Sequence, residues 1–143
     1  PVGSQGEASA VQYLKERFGE MGYAVTLQPY TDSQGRSGHN VVAVKEASSP
    51  DADILILSAH HDSVPTAYGA SDNASGVAAL LYAAQALKDV PTDTQVRFIS
   101  FTDEENETIN KILAHSYGIV LLTGLHRLSV GGGEGPDDRR HPV

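Results

Sequence analysis

Apolar residues recur at three- and four-residue steps through Ala8, Val11, Leu14, Phe18 and Met21, which predicts an amphipathic helix over 5–21. Ser4-Gln5-Gly6-Glu7 reads as a capping box, in which the serine hydroxyl and the glutamate three residues on satisfy each other's backbone donors. Gly22 stands where a left-handed cap is needed. Residues 23–30 then alternate, with Val25 and Leu27 on one face, and 40–45 is rich in valine. Asp32-Ser33-Gln34-Gly35 between them is turn chemistry, so the two segments are expected to pair. The run 53–59 has no polar alternation, the pattern of a strand buried on both faces, and is expected at the centre of a parallel sheet. Val77, Leu80, Leu81, Ala84 and Leu87 predict a second helix over 75–90, closed by Pro91, and 95–101 reads as another buried strand. Strand, helix and strand in this order form a crossover unit, so the fold class is α/β. Beyond Thr102 a helical stripe runs over about 107–122, with no further strand pattern, and 129–143 is expected to be disordered.

Length sets the scale: 143 residues suffice for one domain with one core. The formal charge of -8 argues against nucleic acid or an anionic membrane as partner and leaves a cation or a peptide. It is also unevenly distributed, because residues 1–105 carry 14 acidic and 6 basic side chains whereas 106–143 carry 4 of each. The chain is therefore expected to divide into an acidic segment over 1–105 and a chemically different tail over 106–143. There is no cysteine, so carboxylate and imidazole are the strong metal ligands available. No run of about 18 apolar residues predicts a membrane span. Pro1-Val2-Gly3 does not read as a signal peptide, and the compartment is left open.

In an open parallel sheet, ligands bind beyond the carboxyl ends of the strands. There the sequence is polar: Ser58-Ala59-His60-His61-Asp62 ends one buried run, Thr102-Asp103-Glu104-Glu105 ends the other, and Gly69-Ala70-Ser71-Asp72-Asn73-Ala74-Ser75-Gly76 opens the second helix. Extended backbone places His60 and Asp62 on one side and His61 on the other, leaving His61 as a spare residue. An isolated histidine usually caps a strand, an isolated Asp72 usually caps a helix, and Asp-Glu-Glu usually marks a solvated turn. Asp72 is free to bind a metal only if Asn73 or Ser75 caps the helix instead. Three such clusters converging on one sheet edge outweigh the separate readings. His60, Asp72 and Glu105 offer nitrogen and oxygen ligands suited to zinc, with Asp62 and Glu104 in supporting and catalytic roles. Zinc lowers the pKa of water to about 7, and amide hydrolysis is the natural reaction. No glycine-rich phosphate loop and no Gly-x-Ser-x-Gly elbow is present.

The three motifs Ala59-His60-His61-Asp62-Ser63, Gly69 to Ala78 and Phe98 to Glu105, in this order, resemble the co-catalytic zinc peptidases of the aminopeptidase Y and aminopeptidase S type. Val2-Gly3-Ser4-Gln5-Gly6-Glu7 is similar to that family's N-terminal region, so the resemblance covers about 1–105. It implies a three-layer sandwich around a mostly parallel central sheet and a site for two zinc ions. His60 would bind one ion, Asp72 would bridge both and Glu105 would bind the second. Asp62 would orient His60 or the metal, and Glu104 would be the general base for a metal-activated water. The implied activity is release of N-terminal residues from peptides, and this chain is expected to be a monomer.

Family members supply a further aspartate and a final histidine ligand from a longer domain, and no motif over 106–143 matches these. The expectation is a C-terminally truncated or frameshifted member, cut after about half of the catalytic domain, holding three of five ligands and inactive or weakly active. Two other readings compete. One is a non-catalytic peptidase-like binding domain, which would not need Glu104. The other is a zinc-dependent glutaminyl cyclase on a similar fold.

Overall fold

The computed structural model describes residues 1–106, so the helix expected over 107–122 and the polar run after it lie outside the described residues. Helix α1 spans Gln5–Glu20, and Gly22 follows it with φ 90°. Ser4 Oγ accepts the Glu7 backbone N–H at 3.1 Å, which is one half of the expected capping box. The other half does not form. The Glu7 side chain turns inward, because positions 7, 11, 14 and 18 share the buried stripe of the helix with Val11, Leu14 and Phe18.

Strands β1 (Ala24–Thr31) and β2 (Ser37–Lys45) pair antiparallel from Ala24↔Val44 to Thr31↔Ser37. Asp32 closes their turn by accepting the N–H groups of Gln34 and Arg36 at 2.9 and 2.8 Å, and Gly35 supplies the positive φ of 78°. Strand β3 (Ile54–His60) leads through a loop to helix α2 (Ser75–Leu87) and then to strand β4 (Gln95–Phe101). Helix α2 stops three residues short of the expected end, and Val90 is exposed.

The strand order is β1-β2-β4-β3, with one parallel junction, β3 with β4, and two antiparallel ones. The α/β class holds, and the sheet of the described residues is mixed: a four-residue turn can only return the chain antiparallel, whereas a helical crossover returns it parallel. Among the described residues, strand β3 lies at the edge of the sheet and β4 lies inside it, so the central place expected for 53–59 is not seen there. An unalternating apolar run reports burial of two faces, not rank in the strand order.

Alternation along the strands sorts two apolar layers. Val41, Ala43, Ala59, Val96 and Phe98 pack against Val11, Leu14 and Phe18 of α1 and Leu80 and Ala84 of α2. Ile56, Ile99 and Phe101, with Val42, face the opposite way. Both described helices therefore cover one face, and the third layer of the expected sandwich is not among the described residues.

Candidate metal centre

The parallel register of β3 and β4 builds the site. Ile54 pairs with Gln95 and His60 with Phe101, and the ladder runs one step further because the His61 N–H donates to the Phe101 carbonyl at 2.9 Å. Two strand ends thus stop level, which brings residues 60–62 beside residues 102–105.

Asp62, buried at 3% exposure, holds the second end in place. Its Oδ1 accepts the Glu104 N–H at 3.1 Å and its Oδ2 accepts the Glu105 N–H at 3.3 Å. The same Oδ1 lies 3.3 Å from His60 Nδ1. The turn it grips needs a residue with positive φ. Asp103 provides this at φ 68°, fully buried, with its Oδ2 accepting the Tyr30 hydroxyl at 2.6 Å.

Asp72 arrives from the loop before α2. Asp72 (φ -118°, ψ 92°) and Asn73 (φ -138°, ψ 35°) interrupt any helical path there, and the peptide between them is cis. The cap of α2 falls to Asn73, whose Oδ1 accepts the Gly76 N–H at 3.0 Å, while the Ser75 hydroxyl donates back to the Ser71 carbonyl at 2.7 Å. Of the two expected candidates, Asn73 caps, and the Asp72 carboxylate is left for other contacts. A side chain at Gly76 would place its Cβ 2.2 Å from Asn73 Oδ1, so this cap requires glycine there. Asn73→Ala should lower stability by about 1 kcal/mol in urea unfolding; an unchanged midpoint would mean that another group caps the helix.

His60 Nε2 stands 3.0 Å from Asp72 Oδ1 and 3.7 Å from Glu104 Oε2. One donor atom each from His60, Asp72 and Glu105 lie within 4.8 Å of one another. Burial raises the Glu105 pKa, and the charges of Asp72, Asp62 and Glu104 raise it further, with His60 offsetting part of this. Such crowding is what a cation relieves. With Nδ1 turned toward Asp62, the imidazole presents Nε2 to the carboxylates, and one nitrogen with several carboxylate oxygens is a donor set that fits zinc.

The sequence reading missed the support beneath this centre. His61 does face away from His60, but it is no spare: its Nδ1 lies 2.9 Å from Ser100 Oγ and its Nε2 lies 3.6 Å from Glu7 Oε1. Burial pushes the Glu7 carboxyl up, yet His61, the His39 backbone N–H and the Thr102 hydroxyl outweigh it and hold the group below the usual carboxylate range. The sequence signal for an inward Glu7 is its register with Val11, Leu14 and Phe18.

Residues 40–126 match Peptidase family M28, a span that runs past residue 105, where the three motifs stop. Aminopeptidase YwaD of Bacillus subtilis is 41% identical over 71 residues, covering 49% of this chain and 16% of its own. The structure of BSAP, a zinc aminopeptidase from Bacillus subtilis, is similar with a TM-score of 0.52 at 36% identity, covering 57% of this chain and 21% of that one. The glutaminyl cyclase of Macrostomum lignano is similar with a TM-score of 0.61 at 28% identity, covering 71% of this chain and 32% of that one. The chain thus spans a third or less of the length of each of these relatives. With more than half of its residues matched and a zinc-suited donor group at its strand ends, the chain belongs to Peptidase family M28.

Proposed function

We propose that this chain acts as a zinc-dependent aminopeptidase, releasing N-terminal residues from peptides, with zinc held by His60, Asp72 and Glu105. The observation that carries this reading is the meeting of those three donors within 4.8 Å at the level ends of β3 and β4. When bound, zinc polarises the scissile carbonyl and brings the pKa of water toward neutrality. Glu104 is the general base: its half-exposed carboxylate beside His60 takes the proton of the attacking water and passes it to the departing amine. Asp62 acts on both sides of the site, orienting the His60 ring through Nδ1 and fixing the backbone from which Glu104 and Glu105 project. The exposed carboxylate of Asp72 leaves the cluster open to an incoming peptide.

A second reading, cyclisation of N-terminal glutamine, draws on the likeness to a glutaminyl cyclase. Zinc titration by calorimetry, followed by parallel assays of aminoacyl-anilide hydrolysis and glutaminyl-peptide cyclisation, separates the two. We expect zinc uptake and a weak, zinc-dependent release of the anilide, because three of the five ligands implied by the family resemblance are in place. Absence of zinc uptake overturns the metal centre, and cyclisation without cleavage transfers the assignment to the second reading.

A further inference from the structure

Glu7 takes no part in the chemistry above, yet it is where the segments framing the metal centre meet. Its carboxylate is buried, and a single oxygen serves three neighbours. Oε1 accepts the His39 backbone N–H at 3.2 Å and the Thr102 hydroxyl at 3.3 Å, and it lies 3.6 Å from His61 Nε2. His61 follows the ligand His60 directly, Thr102 stands three residues before the ligand Glu105, and His39 opens onto the central part of β2. Thr102 is gripped a second time, its N–H donating to Asn40 Oδ1 at 2.9 Å.

The fit is close enough to dictate a neighbour. A Cβ on Gly38 would come within 2.7 Å of Glu7 Oε1 and 3.0 Å of Thr102 Oγ1, so the carboxylate occupies the space that any other residue at 38 would fill. A buried carboxylate is expensive unless its hydrogen bonds are met, and a group kept at that cost holds its partners in one arrangement.

We propose that Glu7 is a positioning residue for the metal centre: by tying the first turn of α1 and the start of β2 to the ends of β3 and β4, it sets the separation of His60 from Glu105. The inference rests on the zinc reading of the site and adds a residue that touches neither metal nor substrate. Partners one step removed from a metal typically contribute about 10–100-fold to its affinity. The lower end applies here, because Glu7 acts through backbone rather than on a ligand side chain.

The test compares Glu7→Ala, Glu7→Gln and Thr102→Val in the 143-residue chain. The readouts are zinc affinity by chelator competition, the visible spectrum of the cobalt-loaded protein at saturation, and the melting temperature of the metal-free protein. Glu7→Ala should bind zinc about tenfold more weakly and shift the saturated cobalt spectrum. Glu7→Gln should match the parent in affinity and keep an unshifted spectrum, because an amide oxygen can keep both hydrogen bonds. Thr102→Val should weaken binding by about threefold. A folded Glu7→Ala protein with the parent's affinity and cobalt spectrum, altered only in melting temperature, overturns the proposal. If that variant does not fold, parent-like affinity and spectrum in Thr102→Val overturn it equally. Failure of the parent chain itself to take up zinc or cobalt is a different outcome, and it removes the metal reading instead.

Discussion

His60→Ala is expected to weaken zinc binding by more than a hundredfold, while Glu104→Gln leaves the affinity within about threefold of the parent and lowers hydrolysis by roughly a hundredfold or more. The asymmetry follows from geometry. His60 is the single nitrogen donor of the cluster and is buried, so its loss leaves the exposed Asp72 and the half-buried Glu105, two carboxylates that hold zinc poorly by themselves. Since outer partners alone contribute about 10–100-fold, removing a direct ligand should exceed that range. Glu104 stands 3.7 Å from His60 and is half exposed, a place suited to proton transfer; the amide of glutamine keeps its shape and cannot take the proton. Chelator competition and anilide hydrolysis on both variants check the pair. Equal loss of zinc in the two would place Glu104 among the ligands, and undiminished binding in His60→Ala would move the metal elsewhere.

Phe98→Ala should destabilise the protein by about 3–5 kcal/mol, measured by urea unfolding of the metal-free form. Phe98 is fully buried on the inner strand β4, beneath both helices. Its ring lies 6.1 Å from that of Phe18 and 5.2 Å from that of Tyr23, and Tyr23 in turn donates its hydroxyl to the Ala84 carbonyl of α2 at 2.7 Å. Removing the ring therefore opens a cavity where α1, α2 and the sheet join, a site with little freedom to collapse. Against a typical total of about 5–15 kcal/mol, the loss would leave a small domain close to unfolding at 25 °C. A cost under about 1 kcal/mol would show that the core reorganises around the gap.

Local pattern carried the elements far. The stripe through Val11, Leu14 and Phe18, the turn at Asp32–Gly35 and the unbroken runs of β3 and β4 each follow from side-chain periodicity and backbone chemistry within a dozen residues, and the observed elements fall close to the expected ones. The three polar clusters were legible for the same reason, since the end of a buried run is visible in the chain itself. Strand rank was not, because β3 and β4 have the same apolar character and differ only in their neighbours.

The sequence by itself determined which groups can do chemistry here: imidazole and carboxylate at the ends of two buried runs, with no thiol to compete. Only the tertiary structure decided how they meet. It chose Asn73 over Ser75 as the helix cap, used Asp62 to hold the backbone of Glu104 and Glu105, and turned Glu7 from its own helix end toward Thr102 and His39. The physical reason is distance along the chain. Periodicity places Glu7 on the buried stripe of α1 but cannot name Thr102 as its partner, because that pairing is set by the register of the strands and the packing of the helix against them.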